Sequence, residues 1–117
     1  MYNFNEMPFI YWSNTTKLSY IQRHILIHSV IYYVRDTQVI PDLIFDDLMS
    51  KYMDVKSNCL KSEIRASQYY YCFKDFDGTT GFDLYERLKE EDKRRLDCIA
   101  TNVLKMKKGG KDVTKRN

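Results

Sequence analysis

The sequence predicts a mainly α domain with a minor β component (α+β): an antiparallel helical hairpin, a short strand region and a C-terminal helix. Three observations carry that reading. Apolar residues recur at three- and four-residue intervals over two successive segments, Lys17 to Arg35 and Pro41 to Val55. The connector between them is short, which favours antiparallel neighbours. A third periodic segment, Lys89 to Lys108, runs into Gly109-Gly110, a stop signal.

Taken in order, Tyr2 to Trp12 mixes aromatics with Pro8 and suits a short strand or a packed arm. Ser13-Asn14-Thr15-Thr16 is a capping cluster, with Thr15 or Thr16 the expected acceptor for the next helix's free N–H groups. The first helix carries one apolar stripe through Leu18, Ile21, Ile25 and Tyr32 and a second through Ile27, Ile31 and Val34. Stripes that wide predict burial on more than one side. Asp36 to Ile40 is the connector, and Pro41 suits a helix's first turn because its missing N–H has no partner there anyway. The second helix should bury Ile44, Phe45, Leu48, Met49 and Tyr52. Gln68 to Phe76, rich in Tyr and Phe, reads as a strand ending at the turn Asp77-Gly78. Gly81 to Leu88 reads as a short helix, and the last helix should bury Leu96, Ile99, Val103 and Leu104 or Met106. The domain is expected over residues 1–104, followed by a basic, flexible tail over 105–117.

Size and composition bound the function. The 117 residues suffice for one domain that needs neither disulfides nor metal for its core. With 44% hydrophobic and 30% charged residues, the chain is not a disordered tail or a collagen-like polymer. Aromatics reach 15%, enough to pack a core and to offer stacking surfaces for flat ligands. From Lys105 onward six bases face Asp112 alone, a local +5 against +3 for the chain, so the preceding residues carry −2. Any hold on nucleic acid is therefore expected to be weak and to come from the tail.

Cys59, Cys72 and Cys98 are odd in number and widely spaced, which predicts reduced thiols, a cytoplasmic setting and neither a disulfide framework nor a zinc site. Met1 to Met7 lacks the basic stretch of a signal peptide. The longest apolar run, His24 to Val34, falls short of the ~20 residues that span a bilayer.

Ile31 to Leu48 carries the chemistry. Tyr32 and Tyr33 close one helix, while Asp42 and Asp46 lie four residues apart on one face of the next. Across an antiparallel turn these groups can converge. A flat ring beside two carboxylates suits a planar cationic or amide-bearing heterocycle with ribose hydroxyls. The plainer alternative is a core Tyr pair, with Asp42 serving the helix N-terminus and Asp46 solvated.

This stretch resembles the N-terminal helical segment, termed Ia, of bacterial NAD-dependent DNA ligases. That segment has the form Tyr-Tyr/His-x-x-Asp-x-x-x-x-x-Asp-x-x-Tyr-Asp-x-Leu, matched here by Tyr32, Tyr33, Asp36, Asp42, Asp46 and Leu48. In the family it clamps the nicotinamide mononucleotide (NMN) half of NAD during self-adenylation. The resemblance implies that Tyr32 stacks on nicotinamide, Tyr33 helps hold the nucleotide, and Asp42 and Asp46 bind its polar groups. Phe45 replaces the family's tyrosine, so that hydroxyl contact is absent. Together with Asp75 to Phe82, the hairpin is also similar to small stand-alone ligase-related proteins of phages and prophages.

The ligase's own chemistry is not expected. Its lysine nucleophile stands in a Lys-x-Asp-Gly motif, whereas in Lys74-Asp75-Phe76-Asp77-Gly78 the lysine comes one place too early. Other candidates are weaker still. Asp75 to Glu86 has the outline of a calcium loop, but Thr80 stands where the sharp turn needs glycine. His24 and His28 share a helix face, without the glutamate of a zincin or an evident third ligand. His28 lies one turn before Tyr32, within reach of a bound phosphate. Four glycines, at 78, 81, 109 and 110, make no phosphate loop, and no cysteine has a histidine arrangement for nucleophilic catalysis.

The expected function is non-catalytic binding of a nicotinamide-type or NAD-derived nucleotide (NMN, NAD or an ADP-ribose derivative) through His28, Tyr32, Tyr33, Asp42, Phe45 and Asp46. No metal or cofactor is expected. The phage resemblance implies a sponge that sequesters an NAD-derived immune signal, and such sponges often assemble as homo-oligomers. The alternative is a protein–protein module that binds and inhibits a host ligase or defence protein, with the hairpin kept as a scaffold.

Overall fold

The computed structural model describes residues 11–76, 83–110 and 114–115, with side chains of the last helix described as far as Met106. Helix α1 spans Asn14–Ser29. Its N-cap is Ser13, whose hydroxyl accepts from the Thr16 N–H at 3.2 Å, so the cap lies two or three residues before the expected Thr15 or Thr16. The chain then widens into a π turn over Val30–Val34, closed by the Arg35 N–H on the Val30 carbonyl at 2.9 Å. Asp36 ends it in the left-handed region, at φ 49°. A short polar side chain tolerates that conformation better than most.

The connector holds the two-residue strand β1, Thr37–Gln38, and Pro41 opens helix α2, Asp42–Ser57. Tyr32 meets Phe45 near the turn, and Gln22, ten residues earlier, meets Tyr52 further along α2. Contacts that recede along one helix as they advance along the other make the pair antiparallel. Leu18, Ile21, Ile25, Leu26, Ile27 and Ile31 are buried against Phe45, Leu48, Met49 and Tyr52. Each such side chain contributes about 1.5–3 kcal/mol of hydrophobic stabilisation. Ile44 is only half-buried, and Val34 stands 47% exposed because the π turn carries it off the apolar stripe.

Gln68 to Phe76 is not a strand. It holds helix α4, Tyr70–Phe73, after the short helix α3, Lys61–Arg65. A strand would bury alternate residues, yet Tyr69, Cys72, Phe73 and Phe76 are buried, a helical spacing. The cause is tertiary. Gln22, fully buried on α1, accepts from the Tyr69 N–H at 3.0 Å and donates to the Ser67 hydroxyl at 2.9 Å, holding the chain in turns there. Tyr52, Phe73 and Phe76 then pack with ring centroids 5.0, 5.3 and 5.8 Å apart.

Of the expected helix over Gly81 to Leu88, the described part holds one 3-10 turn, Tyr85–Arg87. The Asp77-Gly78 turn, most of Tyr2 to Trp12 and the centre of the calcium-loop outline lie outside the described residues. Helix α5 runs over Glu90–Gly110, past the expected boundary at residue 104. It buries Leu96 and Ala100, half-buries Ile99, Val103 and Leu104, and leaves Met106 78% exposed. Strand β2, Thr114–Lys115, pairs antiparallel with β1, Thr37 opposite Lys115. Among the described residues these two-residue strands are the whole β component, so the protein is mainly α with almost no sheet. No helix among them is long and apolar enough to cross a membrane.

Candidate functional site

The turn end of the hairpin forms a cleft of about 230 Å³ lined by Tyr32, Tyr33, Asp42, Phe45, Asp46 and Met49. Two devices shape it. The π turn spreads its residues more widely than an α turn does, and Tyr32 and Tyr33 leave it edge to face, centroids 4.8 Å apart at 76°. Both rings are half-buried, neither closed into the core nor free in solvent. On the facing helix Asp42 and Asp46 are exposed at the cleft, one turn apart, with Phe45 buried between them at 5.8 Å from Tyr32.

The wall is braced from outside. The Arg35 guanidinium donates to the Asp97 carbonyl at 3.1 Å and to the Thr101 hydroxyl at 2.9 Å, pinning the end of the π turn to α5. The Thr37 hydroxyl donates to the Arg35 carbonyl at 2.9 Å. Gln38 donates to Asp42 at 3.0 Å, so one carboxylate is oriented from the connector. Asp42 also occupies the first turn of α2, where the helix dipole favours negative charge.

Five of the six residues singled out in the sequence thus share one cleft. The sixth, His28, does not line it. It lines a neighbouring crevice with room for about one water, which shares Tyr32 and Phe45 with the cleft. Sequence reasoning assigned Met49 to the core alone. Met49 is indeed 3% exposed, and its remaining surface forms the cleft floor, as its spacing of three from Asp46 and seven from Asp42 allows.

The arrangement offers ring faces and carboxylate acceptors in a recess slightly smaller than the usual ligand range of about 300–1,000 Å³. It matches one heterocycle with its sugar, not a whole dinucleotide. The other named candidates sit elsewhere. His24 packs on Tyr20 at 4.4 Å, and burial, with Arg23 beside it, lowers its pKa below 6.5. Burial pushes the Cys72 thiol up to about 12, so it stays protonated at neutral pH. Among the described residues no group of three or more His, Cys, Asp or Glu side chains could hold a metal ion. No protein-family model, curated protein or solved structure matches this chain.

Proposed function

We propose that the protein binds a nicotinamide-type nucleotide in the cleft between Tyr32-Tyr33 and Asp42-Asp46 and retains it unaltered. The carrying observation is the convergence of two half-buried rings and two exposed carboxylates on one recess. The oxidised nicotinamide ring is a flat cation whose amide and ribose hydroxyls donate hydrogen bonds. A tyrosine face attracts the cation and the carboxylates accept from the donors. The same carboxylates repel phosphate, so the ligand's phosphates would lie outside the cleft, towards solvent. That charge pattern favours NMN and NAD over ADP-ribose derivatives, which lack the cationic ring. Binding without turnover suits sequestration, one ligand per chain, and the ligase-segment likeness of the hairpin points to the same ligand class. The reduced thiols expected of this sequence suit a cytoplasmic setting.

Isothermal titration with NMN, NAD and cyclic ADP-ribose tests the reading, with chromatography of heat-released ligand to show that it is unchanged. Tyr32→Ala and Asp46→Asn should each remove NMN binding while the protein stays folded, since one ring is half-buried and the carboxylate is exposed. Reduced NMN, which has lost the ring charge, should bind about five-fold more weakly if the cation–ring attraction is worth ~1 kcal/mol. Absence of heat with NMN and NAD from folded protein would refute the proposal. Loss of stability in Tyr32→Ala with NMN affinity retained would favour the scaffold reading.

A further inference from the structure

A second recess, of about 180 Å³, lies at the other end of α2 and shares no lining residue with the first. Its walls are Lys56, Lys61, Ile64, Arg65, Tyr70 and Lys74. From Asp46 to Lys56 the helix rises about 15 Å, so the acidic and basic recesses are separate surfaces. The four cations come from four places in the chain: the last turn of α2, the two ends of α3, and the residue after α4.

Like charges gathered at a concave surface repel, and proteins usually relieve this with local carboxylates. Here the obvious one is committed elsewhere. Glu63 of α3 accepts from the Asn14 amide at 3.2 and 3.3 Å and from the Leu60 N–H at 2.7 Å, which ties it towards α1. Among the described residues the ion pairs are Lys93–Glu90 and Arg95–Asp92, both within α5, and none involves the four cations. The recess is also more than a charge cluster. Tyr70 is half-buried and lines the wall, and Ile64 beside it packs on the core. Point charges, a planar guanidinium fork and an aromatic face together suit a phosphate carried on a flat ring.

We infer that this basic recess is a second binding site, for a phosphorylated planar ligand of the nucleotide class. The phosphates lie among Lys56, Lys61, Arg65 and Lys74, and the base lies against Tyr70 and Ile64. Free nucleotides and single-stranded nucleic acid share this chemistry, and each gives one arm of the test.

The full chain is titrated calorimetrically at about 50 mM salt with ADP, pyrophosphate, adenosine and a ten-residue oligothymidylate. ADP should bind more tightly than pyrophosphate, which has the charge without the ring, and far more tightly than adenosine, which has the ring without the charge. Arg65→Gln/Lys74→Gln should weaken ADP by about tenfold or more. Both positions are exposed, so the fold should persist, as thermal unfolding of the variant would verify. Asp42→Asn/Asp46→Asn, which alters only the acidic cleft, should leave ADP affinity unchanged, so the two sites can fail independently. An oligonucleotide tighter than ADP assigns the phosphates to a strand, and the reverse order assigns them to a free nucleotide. If neither binds, or if the Arg65/Lys74 variant binds both as the parent does, the inference is overturned.

Discussion

Gln22 offers the sharpest test of how the hairpin is held. Its amide is fully buried, accepts from the Tyr69 N–H and donates to the Ser67 hydroxyl. In Gln22→Ala the Ser67 hydroxyl keeps its bond to the Ile64 carbonyl, at 2.6 Å, and loses little. The Tyr69 N–H is left without its partner in a dry interior. That orphaned group costs about 1–3 kcal/mol, and the void left by the side chain adds about 1 kcal/mol. A loss of about 2–4 kcal/mol follows, a large share of the ~5–15 kcal/mol typical of a domain. At this chain length it corresponds to a fall in Tm of about 8–16 °C. Urea unfolding followed by circular dichroism and by aromatic fluorescence measures it. Gln22→Met separates the causes, because methionine fills the volume but leaves the Tyr69 N–H unpaired and should remain destabilised by about 1–3 kcal/mol. Parent-like stability in the methionine variant would refute the hydrogen-bond argument.

Two further outcomes follow from buried titratable groups. Iodoacetamide should modify exposed Cys98 first and Cys59 slowly, reaching Cys72 only on unfolding, since burial raises the last two thiols and Cys72 also donates to the Leu84 carbonyl at 3.0 Å. Peptide mass spectrometry against time reads the order, and early labelling of Cys72 in folded protein would contradict it. His24 titrates below 6.5 in the folded state because burial, then Arg23, disfavours its charged form. As pH falls through 6.5 the unfolded chain takes up a proton that the folded one refuses, so this residue's contribution to stability is present above 6.5 and declines below it. Urea midpoints measured across that range should rise with pH, less steeply in His24→Gln.

The three long helices were legible because each writes its buried face at a 3.6-residue period: Leu18, Ile21 and Ile25, then Phe45, Leu48, Met49 and Tyr52, then Leu96 and Ala100. The acidic cleft was legible for a related reason. Its residues flank one short connector, so local geometry alone brings them close. What was missed depends on distant partners. The aromatic run around Tyr70 has strand propensity, and only the amide of Gln22, 47 residues from Tyr69, reveals that it folds into turns. The pairing of Thr114–Lys115 with Thr37–Gln38 leaves no local signal either. The π turn has no side-chain signature, and a spacing of one helical turn from Tyr32 does not tell that His28 lines the neighbouring crevice and not the cleft. The basic recess is spread over positions 56 to 74, where each charge alone reads as ordinary surface.

The π turn also uncouples two demands on one helix. Up to Ser29 the side chains answer to the interior, in the phase that packing against α2 imposes. At Val30 the winding slips, and the rings that follow take their bearing from the Arg35 anchor on α5. Val30 and Ile31 stay buried within the slip, while Tyr32 and Tyr33, just beyond them, come out half-buried beside Asp42 and Asp46. One unbroken rod thus lines both the interior and the cleft, and its winding changes where the one gives way to the other.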